Sequence, residues 1–381
     1  MDVIKKAKTF TSLLSTPTAL AQVLRDKYRR MARVVVLPFV RPNVERIFYG
    51  SLKQRIKARY RIMFHRKPNL RRPQLWTEKA QWRKLYCPQV ELLGQVTDKV
   101  GVYEYVRERI GDKHLLPIIW VGDTFTPDDL RNLGDGIVLQ PTHRSGQVAF
   151  IEKAEYVDYE ALSGLLHRML AWPYSMCGQE PWYGRIKPQI VARPLITNSE
   201  GSPFLNDCKF HIFKQPDGST KVICEIINTY PHWRAIFDES YERLPFDWSP
   251  NQYPPPSVDP PKPEQFEAML ADAYELAADF DYVRVDFMMG AQEYYFSELT
   301  FAPAGGRPQI TPSCWDEVVG SYWHLDIGNP VKRFFWKCRA WLPLWRTERP
   351  MRNLRRLYRY RDDWAISGMR PKHYDLRHRN T

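Results

Sequence analysis

Two β-hairpins, each following a predicted helix, limit the folds that this chain can adopt. The segment DCKFHIFKQPDGSTKVICEIIN (207–228) places a PDGS turn between two apolar runs, and YVRVDFMMGAQEYYFSELT (282–300) places a short loop between two more. Such turns between apolar runs favour antiparallel pairing. Helices are predicted at 77–113, 158–172 and 264–280. This order predicts an α+β fold with antiparallel sheets and not a doubly wound parallel sheet.

The second hairpin carries one acidic residue on each strand among apolar neighbours. If Gly290 pairs with Tyr294 across a three-residue loop, the register sets Asp286 directly opposite Glu298. Opposed carboxylates destabilise a hairpin unless a positive charge lies between them. A divalent cation with oxygen ligands would supply that charge, and an ion pair with Arg284 is the alternative.

Positive charge is concentrated at the two ends of the chain, whose net charge is +13. Residues 1–74 contain 19 Lys and Arg against 3 Asp and Glu, and residues 327–381 contain 15 against 4, so the middle is acidic. Both ends interleave apolar or aromatic residues with cations, which suits an anionic membrane surface. Packing of basic helices on the acidic body is an alternative. Nucleic acid is a further alternative and is less favoured.

Proline-rich segments at 65–76 and 249–266 mark the predicted boundaries. We expect a basic N-terminal arm at 1–74, a body at 75–326 and a basic aromatic tail at 327–381. Within the body, a lid lobe is predicted at about 115–215 and a metal-binding lobe at about 216–326.

The cysteines and the apolar runs bear on where such a chain would act. Six cysteines are scattered without CxxC spacing, which indicates neither a zinc site nor a disulfide framework and suits a reducing cytoplasm. The longest N-terminal apolar run, VVVLPFV (34–40), is too short to span a bilayer. We expect a cytoplasmic protein that attaches peripherally to the inner face of the membrane through its basic ends.

Four motifs in order resemble the TupA-like (teichuronopeptide biosynthesis) ATP-grasp family. They are TEKAQWRKLY (77–86), TDKVGVYEYVRERIGDKHLLPIIWVGD (97–123), FLNDCKFHIF (204–213) and YVRVDFMMGAQEYYFSELTFAPAGG (282–306), and the resemblance covers about residues 73–326. It implies an ATP-grasp fold in which two α+β lobes hold ATP between antiparallel sheets, here flanked by basic helical arms. It also implies an ATP- and Mg²⁺-dependent ligase, in which an amine displaces an acyl phosphate.

The resemblance implies substrates and ligands for this chemistry. The carboxylate would belong to an anionic glycan or lipid-linked precursor of a cell-envelope polysaccharide, and an amino-group donor would attack it. Asp286 and Glu298 match the metal-binding carboxylates, and Thr300 stands where many ATP-grasp enzymes carry an amide ligand. Arg284 would contact a phosphate or acyl phosphate, with a salt bridge as its alternative role. Arg234 would hold an anionic substrate, with an ordinary surface arginine as the alternative.

Positions matching the nucleotide site are partly altered. Lys99 and Lys209 match phosphate-contacting lysines. In GIVLQPTHRSGQVAF (136–150), Gln140 stands where the family has a lysine and Arg144 where it has a glycine, whereas His143, Ser145 and Gly146 are retained. The hinge strand QIVARPLI (189–196) would run along the adenine and offer it backbone groups, with Leu195 on it and Arg193 in place of an acidic residue.

These substitutions keep two other functions open. One is a catalytically degenerate ATP-grasp protein that acts as a scaffold or binds a glycan. The other is a glycosyltransferase that uses Asp279 and Asp281, in the triplet DFD, to bind the metal of a nucleotide sugar.

Overall fold

The structure is a computed structural model of the chain, and it describes residues 51–172, 174–198, 201–202, 205–229 and 232–347. The chain divides into two compact units, Met1–Pro68 and Asn69–Thr381. Among the described residues, no helix is both long and apolar enough to cross a bilayer. The predictions made for residues 1–50 and 348–381 lie outside the described residues.

The described part of the first unit contains one helix, α1, Leu52–Phe64. Ser51 begins it with a capping box, which satisfies backbone N–H groups of the first turn. Leu52, Ile56 and Tyr60 recur every four residues and are buried, whereas most of the basic residues remain at least partly exposed. This basic segment is therefore an amphipathic helix.

Three helices begin the second unit, and the loop between the last two carries Lys99. Asp98 fixes this loop, because its Oδ1 accepts a hydrogen bond from Val100 N at 3.0 Å. The third helix ends at Gly111, whose φ of 76° is a conformation that glycine adopts without strain. The helices are α2 Trp76–Tyr86, α3 Val90–Thr97 and α4 Val102–Ile110.

A four-stranded antiparallel sheet follows, with strand order β1-β4-β2-β3. Helix α6 covers one face, because its apolar residues recur at helical spacing and pack with Ile137 and Leu139 of β2 in one core. Asp158 caps α6 by accepting a hydrogen bond from Ala161 N at 3.0 Å. The elements are β1 Trp120–Gly122, α5 Pro127–Arg131, β2 Ile137–Pro141, β3 Ala149–Ile151, α6 Tyr159–Leu170, α7 Tyr174–Gly178 and β4 Ile190–Pro194.

The second sheet has five antiparallel strands in the order β10-β9-β5-β6-β7. Both predicted hairpins are confirmed, since β5 pairs with β6 and β9 pairs with β10. The order also places β9 beside β5, so the two hairpins share one sheet. The elements are β5 Asn206–Lys214, β6 Thr220–Asn228, β7 Trp233–Phe237, β8 Asp247–Trp248, α8 Phe266–Ala277, β9 Tyr282–Met289 and β10 Tyr294–Thr300.

The predicted boundary between the lobes, at 215/216, needs correction. It cuts the β5–β6 hairpin, whose register runs from Asp207 paired with Ile227 to Lys214 paired with Thr220. Because β5 also pairs with β9, it belongs to the five-stranded sheet and not to the predicted lid lobe.

An aromatic core packs helix α2, near the start of the second unit, against residues 248–323. Trp76 of α2 lies edge-on to Trp248 at 4.9 Å and close to Trp323 at 6.5 Å between ring centroids. Thr77 N also donates to Asp316 Oδ1 at 2.9 Å. The remaining elements are β11 Ile310–Thr311, α9 Trp315–Tyr322 and α10 Pro330–Thr347.

Candidate functional site

The β9–β10 hairpin brings the two predicted metal-binding carboxylates together. Glu298 is the Cα partner of Asp286, and Thr300 is the Cα partner of Arg284. Partners directly opposite each other in an antiparallel pair project to the same face. The expected opposition of Asp286 and Glu298 is therefore confirmed.

The loop that leads to this register differs from the prediction. Gly290 N donates to Glu293 O at 2.8 Å, so the loop holds two residues, and Tyr294 pairs with Met289 instead of Gly290. A β-bulge after Phe296 then adds one residue to β10 and restores the predicted pairing at the carboxylates. The sequence carries no turn residue that marks the bulge.

Arg284 supplies the positive charge between the carboxylates. Its Nε and Nη2 lie 2.6 and 2.5 Å from Asp286 Oδ1 and Oδ2, and its Nη2 lies 3.6 Å from Glu298 Oε1. Thr300 Oγ1 donates to Glu298 Oε1 at 2.9 Å. Burial alone would lower the pKa of Arg284, but Asp286 and other carboxylates outweigh it and raise that pKa. The ion pair considered from the sequence is thus present.

Lys209 adds a second cation to the same face. Its Nζ lies 3.1 Å from both Asp286 Oδ2 and Asp207 Oδ2. Burial would lower the pKa of Lys209, but the two carboxylates raise it above its ordinary value, so the amine is charged at neutral pH. Asp286 is only 1% exposed. It is therefore a buried carboxylate with cations on two sides.

A buried polar cluster continues across the sheet to Arg234. Glu225 is the Cα partner of Lys209 and contacts His211 Nε2 at 2.5 Å and Arg234 Nε at 3.1 Å. Arg234 also donates to Trp248 O at 2.7 Å. Burial would raise the pKa of Glu225, but Arg234 and His211 hold it well below its usual range. The side chain of Arg234 is thus held by Glu225 and Trp248 within the protein. Its contact with substrate remains a prediction.

Lys99 interacts with residues of both sheets: it forms hydrogen bonds with residues in or next to the first sheet, and it interacts electrostatically with Glu298 of the second. Its Nζ donates to Arg144 O at 2.6 Å, and its own carbonyl accepts a hydrogen bond from Arg193 Nη2 at 2.6 Å. Burial lowers the pKa of Lys99 to about 8, and the carboxylate of Glu298 opposes that shift. The structure therefore gathers Lys99, Arg144 and Arg193 in one cluster, in which Lys99 feels the charge of Glu298.

Two of the altered positions, Gln140 and Arg193, lie on one face of the first sheet. Val138 is the Cα partner of Arg193, and Ile137 and Leu139 point to the opposite face, into the α6 core. Alternation along β2 then places Gln140 beside Val138 on the face of Arg193. The cation that β2 lacks at Gln140 is present on the neighbouring strand.

The remaining predicted nucleotide residues lie in the β2–β3 loop and after β4. His143 is buried, and burial lowers its pKa to about 4, so it is neutral at physiological pH. Ser145 is half-buried, and Gly146 is exposed with a φ of 77°. Leu195 N donates a hydrogen bond to Gly136 O at 2.7 Å, so this backbone N–H is already paired within the protein. Their contacts with ATP remain predictions.

Several polar residues of the site were missed from the sequence. Asp207 stands two residues before Lys209 on one strand, and Glu225 interrupts an apolar strand as Asp286 does, so strand alternation could have found both. Tyr174 packs edge-on against Tyr183, with 4.7 Å between the ring centroids. The guanidinium carbon of Arg144 lies over the Tyr174 ring, 5.8 Å from the ring centroid. Tyr174 begins the five-residue helix α7 and Tyr183 lies in the 3-10 helix Pro181–Arg185, and elements this short give no clear periodic signal.

The oxygen donors of this face fit a hard divalent cation. Asp286, Glu298 and Thr300 offer only carboxylate and hydroxyl oxygens, which Mg²⁺ prefers. Among the residues that the structure describes, no group of three or more His, Cys, Asp or Glu is placed to hold a metal ion. A cation here would therefore depend on the two carboxylates and on oxygens from its ligand, and it would share Asp286 with Arg284.

The lowered pKa of Lys99 predicts a pH dependence of nucleotide binding. Phosphates favour the ammonium form, so below a pH of about 8 the amine is already charged and affinity is constant. As pH rises through about 8, Mg-ATP affinity should fall by up to about tenfold per pH unit, with proton uptake on binding. Calorimetry in buffers of different ionisation enthalpy measures both.

Lys99→Arg is the matched control, because a guanidinium stays charged over this range. Its Mg-ATP affinity should not change as pH passes through about 8. An unchanged pH dependence in this variant would assign the titration to another group.

One sequence family matches this part of the chain. A family model described as TupA-like ATPgrasp matches residues 78–324, which includes both sheets and the charged face. No curated protein is significantly similar to the chain in sequence.

Solved structures with a similar arrangement include D-alanine–D-alanine ligases. The enzyme from Helicobacter pylori is 12% identical with a TM-score of 0.38, and the match covers 61% of this chain and 61% of that enzyme. The enzyme from Bacillus anthracis is 16% identical with a TM-score of 0.32, covering 67% and 69%. Its complex with ATP is 15% identical, with a TM-score of 0.31 over the same shares.

Proposed function

Because the chain belongs to the TupA-like ATP-grasp family, we propose that it is an ATP- and Mg²⁺-dependent ligase that joins a carboxylate to an amine through an acyl phosphate. The supporting observation is the charged face of the second sheet, where Arg284 and Lys209 meet Asp286. Lys99 brings a further cation towards Glu298. Phosphoryl transfer needs positive charge around the transferred group, and this face offers it.

Each charged residue has a role in this proposal. Asp286 and Glu298 would hold Mg²⁺, which when bound neutralises phosphate charge. Lys99 and Lys209 would bind phosphate oxygens as point charges. Arg284 is fixed by two hydrogen bonds to Asp286, so its guanidinium is oriented before substrate arrives and would stabilise charge on the acyl phosphate.

The proposed substrates are an anionic glycan, or its lipid-linked precursor, and an amino-group donor, in the synthesis or modification of a cell-envelope polysaccharide. The excess of Lys and Arg at both ends of the chain would raise the rate of encounter with such anions. We place the reaction in the cytoplasm, at the inner face of the membrane.

A second candidate is a degenerate ATP-grasp scaffold that binds a glycan without turnover. Gln140 favours it, because β2 then lacks the lysine expected from the resemblance. Arg193 favours it too, because its guanidinium is already engaged by Lys99 O. A glycan-binding protein with no Mg-ATP-dependent rise in melting temperature would belong to this class.

Both acidic residues of the glycosyltransferase alternative have partners within the protein. Asp279 forms an ion pair with Arg109, and Asp281 forms one with Arg83 and accepts a hydrogen bond from Trp323 Nε1. Both carboxylates therefore hold elements of the fold together.

The test of the proposed function is a reaction with purified full-length protein. Mg-ATP is supplied with a panel of amino acids and uronate-bearing glycans, while ADP release and the mass of the glycan are followed. The proposal predicts ADP release that requires both substrates and a mass gain equal to the amine less water. Nucleotide binding without ADP release over the whole panel would instead support the scaffold.

A further inference from the structure

Helix α10 has a second apolar face that the rest of the described chain does not cover. Val331, Phe334, Phe335 and Leu342 are 63%, 64%, 64% and 42% exposed. At 3.6 residues per turn they fall on one side of the helix, with the two phenyl rings 5.9 Å apart. We call these four residues the exposed stripe. Large exposed apolar patches of this kind mark interaction surfaces.

The opposite side of α10 is anchored to the body. Trp336 packs edge-on against Trp82 at 6.1 Å, and the buried Trp341 donates from Nε1 to Lys84 O at 3.1 Å. Arg185 Nη2 also donates to Arg339 O at 2.5 Å. The helix is therefore held in place by one face, and the exposed stripe faces away from the contacts that hold it.

The charged residues of helix α10 itself are all basic. Residues 330–347 contain no Asp or Glu. Lys332 and Arg339 lie on one flank of the stripe by helical spacing and Lys337 lies towards the other. Arg339 is paired with Glu91 at 2.8 Å, whereas Lys332 is exposed. The surface thus combines aromatic side chains with flanking cations.

We propose that this surface docks onto an anionic phospholipid bilayer, with α10 lying in the plane of the headgroups. Phe334 and Phe335 would enter the acyl boundary while Lys332 and Lys337 contact lipid phosphates. A second copy of the chain fits less well, because facing stripes would bring like charges together. The proposal goes beyond the ligase function and requires neither nucleotide nor turnover.

Vesicle flotation of the full-length chain tests this surface. Vesicles of phosphatidylcholine alone are compared with vesicles of equal parts phosphatidylcholine and phosphatidylglycerol. Wild-type protein should float with the anionic vesicles only, and added salt should reduce binding. Phe334→Ser/Phe335→Ser should lower the partition coefficient by about tenfold or more. Lys332→Glu/Lys337→Glu should lower it several-fold, on anionic vesicles only.

Val258→Ser is the matched control, because Val258 is 80% exposed and lies away from α10 in sequence. It should bind vesicles as wild type does, and the melting temperatures of all variants should agree. Equal vesicle binding by wild type and Phe334→Ser/Phe335→Ser would overturn the proposal, even if the chain binds lipid elsewhere. A concentration-dependent dimer that this variant abolishes would assign the stripe to a second copy instead.

Discussion

Asp286→Asn is expected to lower the rate of ATP turnover by about a thousandfold and also to destabilise the fold. The side chain is 1% exposed and lies against Arg284 at 2.5 Å and Lys209 at 3.1 Å. Removing its charge leaves two largely buried cations without their shared partner, at a cost of about 3 kcal/mol in the free energy of unfolding. ADP release and urea denaturation measure the two effects separately.

Asp207→Asn is the matched control for this loss of charge. Asp207 contacts Lys209 at the same distance as Asp286 but is 28% exposed. The control should lose less stability and retain most of its turnover. If Asp286→Asn turned over ATP at a rate near that of wild type, Asp286 would be a structural ion-pair partner and not a metal ligand.

Glu298→Gln is expected to lose turnover by about a hundredfold or more without a large loss of stability. Glu298 is 29% exposed, and its contact with Arg284 is long, at 3.6 Å. A contact this long to a partly exposed carboxylate contributes less than about 1 kcal/mol. The neutral amide still accepts the hydrogen bond from Thr300 but binds a divalent cation poorly. Mg-ATP affinity and turnover should fall together while the urea midpoint stays close to that of wild type.

Glu293→Gln, at the residue that follows the two-residue loop of the same hairpin, is the matched control. This residue is exposed. The control should keep both turnover and stability. A large stability loss in Glu298→Gln would show that Glu298 mainly supports the hairpin.

The hairpins could be predicted because their signals are local. Alternating apolar residues around a PDGS turn fix both the strands and their pairing in β5 and β6. The β9–β10 loop was predicted one residue too long, and the bulge after Phe296 cancelled the error. A bulge depends on how the strand packs across the sheet, and the segment has no residue type that requires one.

The sequence predicted a positive charge between Asp286 and Glu298 but did not decide which group supplies it. Sequence alternation placed Arg284 and Asp286 on one face, which allows either a metal ion or an ion pair. Lys209 reaches Asp286 because β9 lies beside β5, and strand order across a sheet is a non-local property. The same holds for Arg193 and Gln140, which share a face only through the pairing of β2 with β4.

The most direct test of the magnesium site is a crystal structure of the chain with ATP and Mn²⁺, whose anomalous scattering locates the metal. The proposal predicts a metal ion held by one oxygen each of Asp286 and Glu298 at about 2.1 Å, with phosphate oxygens completing its coordination. Bound nucleotide with Arg284 still bridging the two carboxylates, and no anomalous peak beside them, would contradict it.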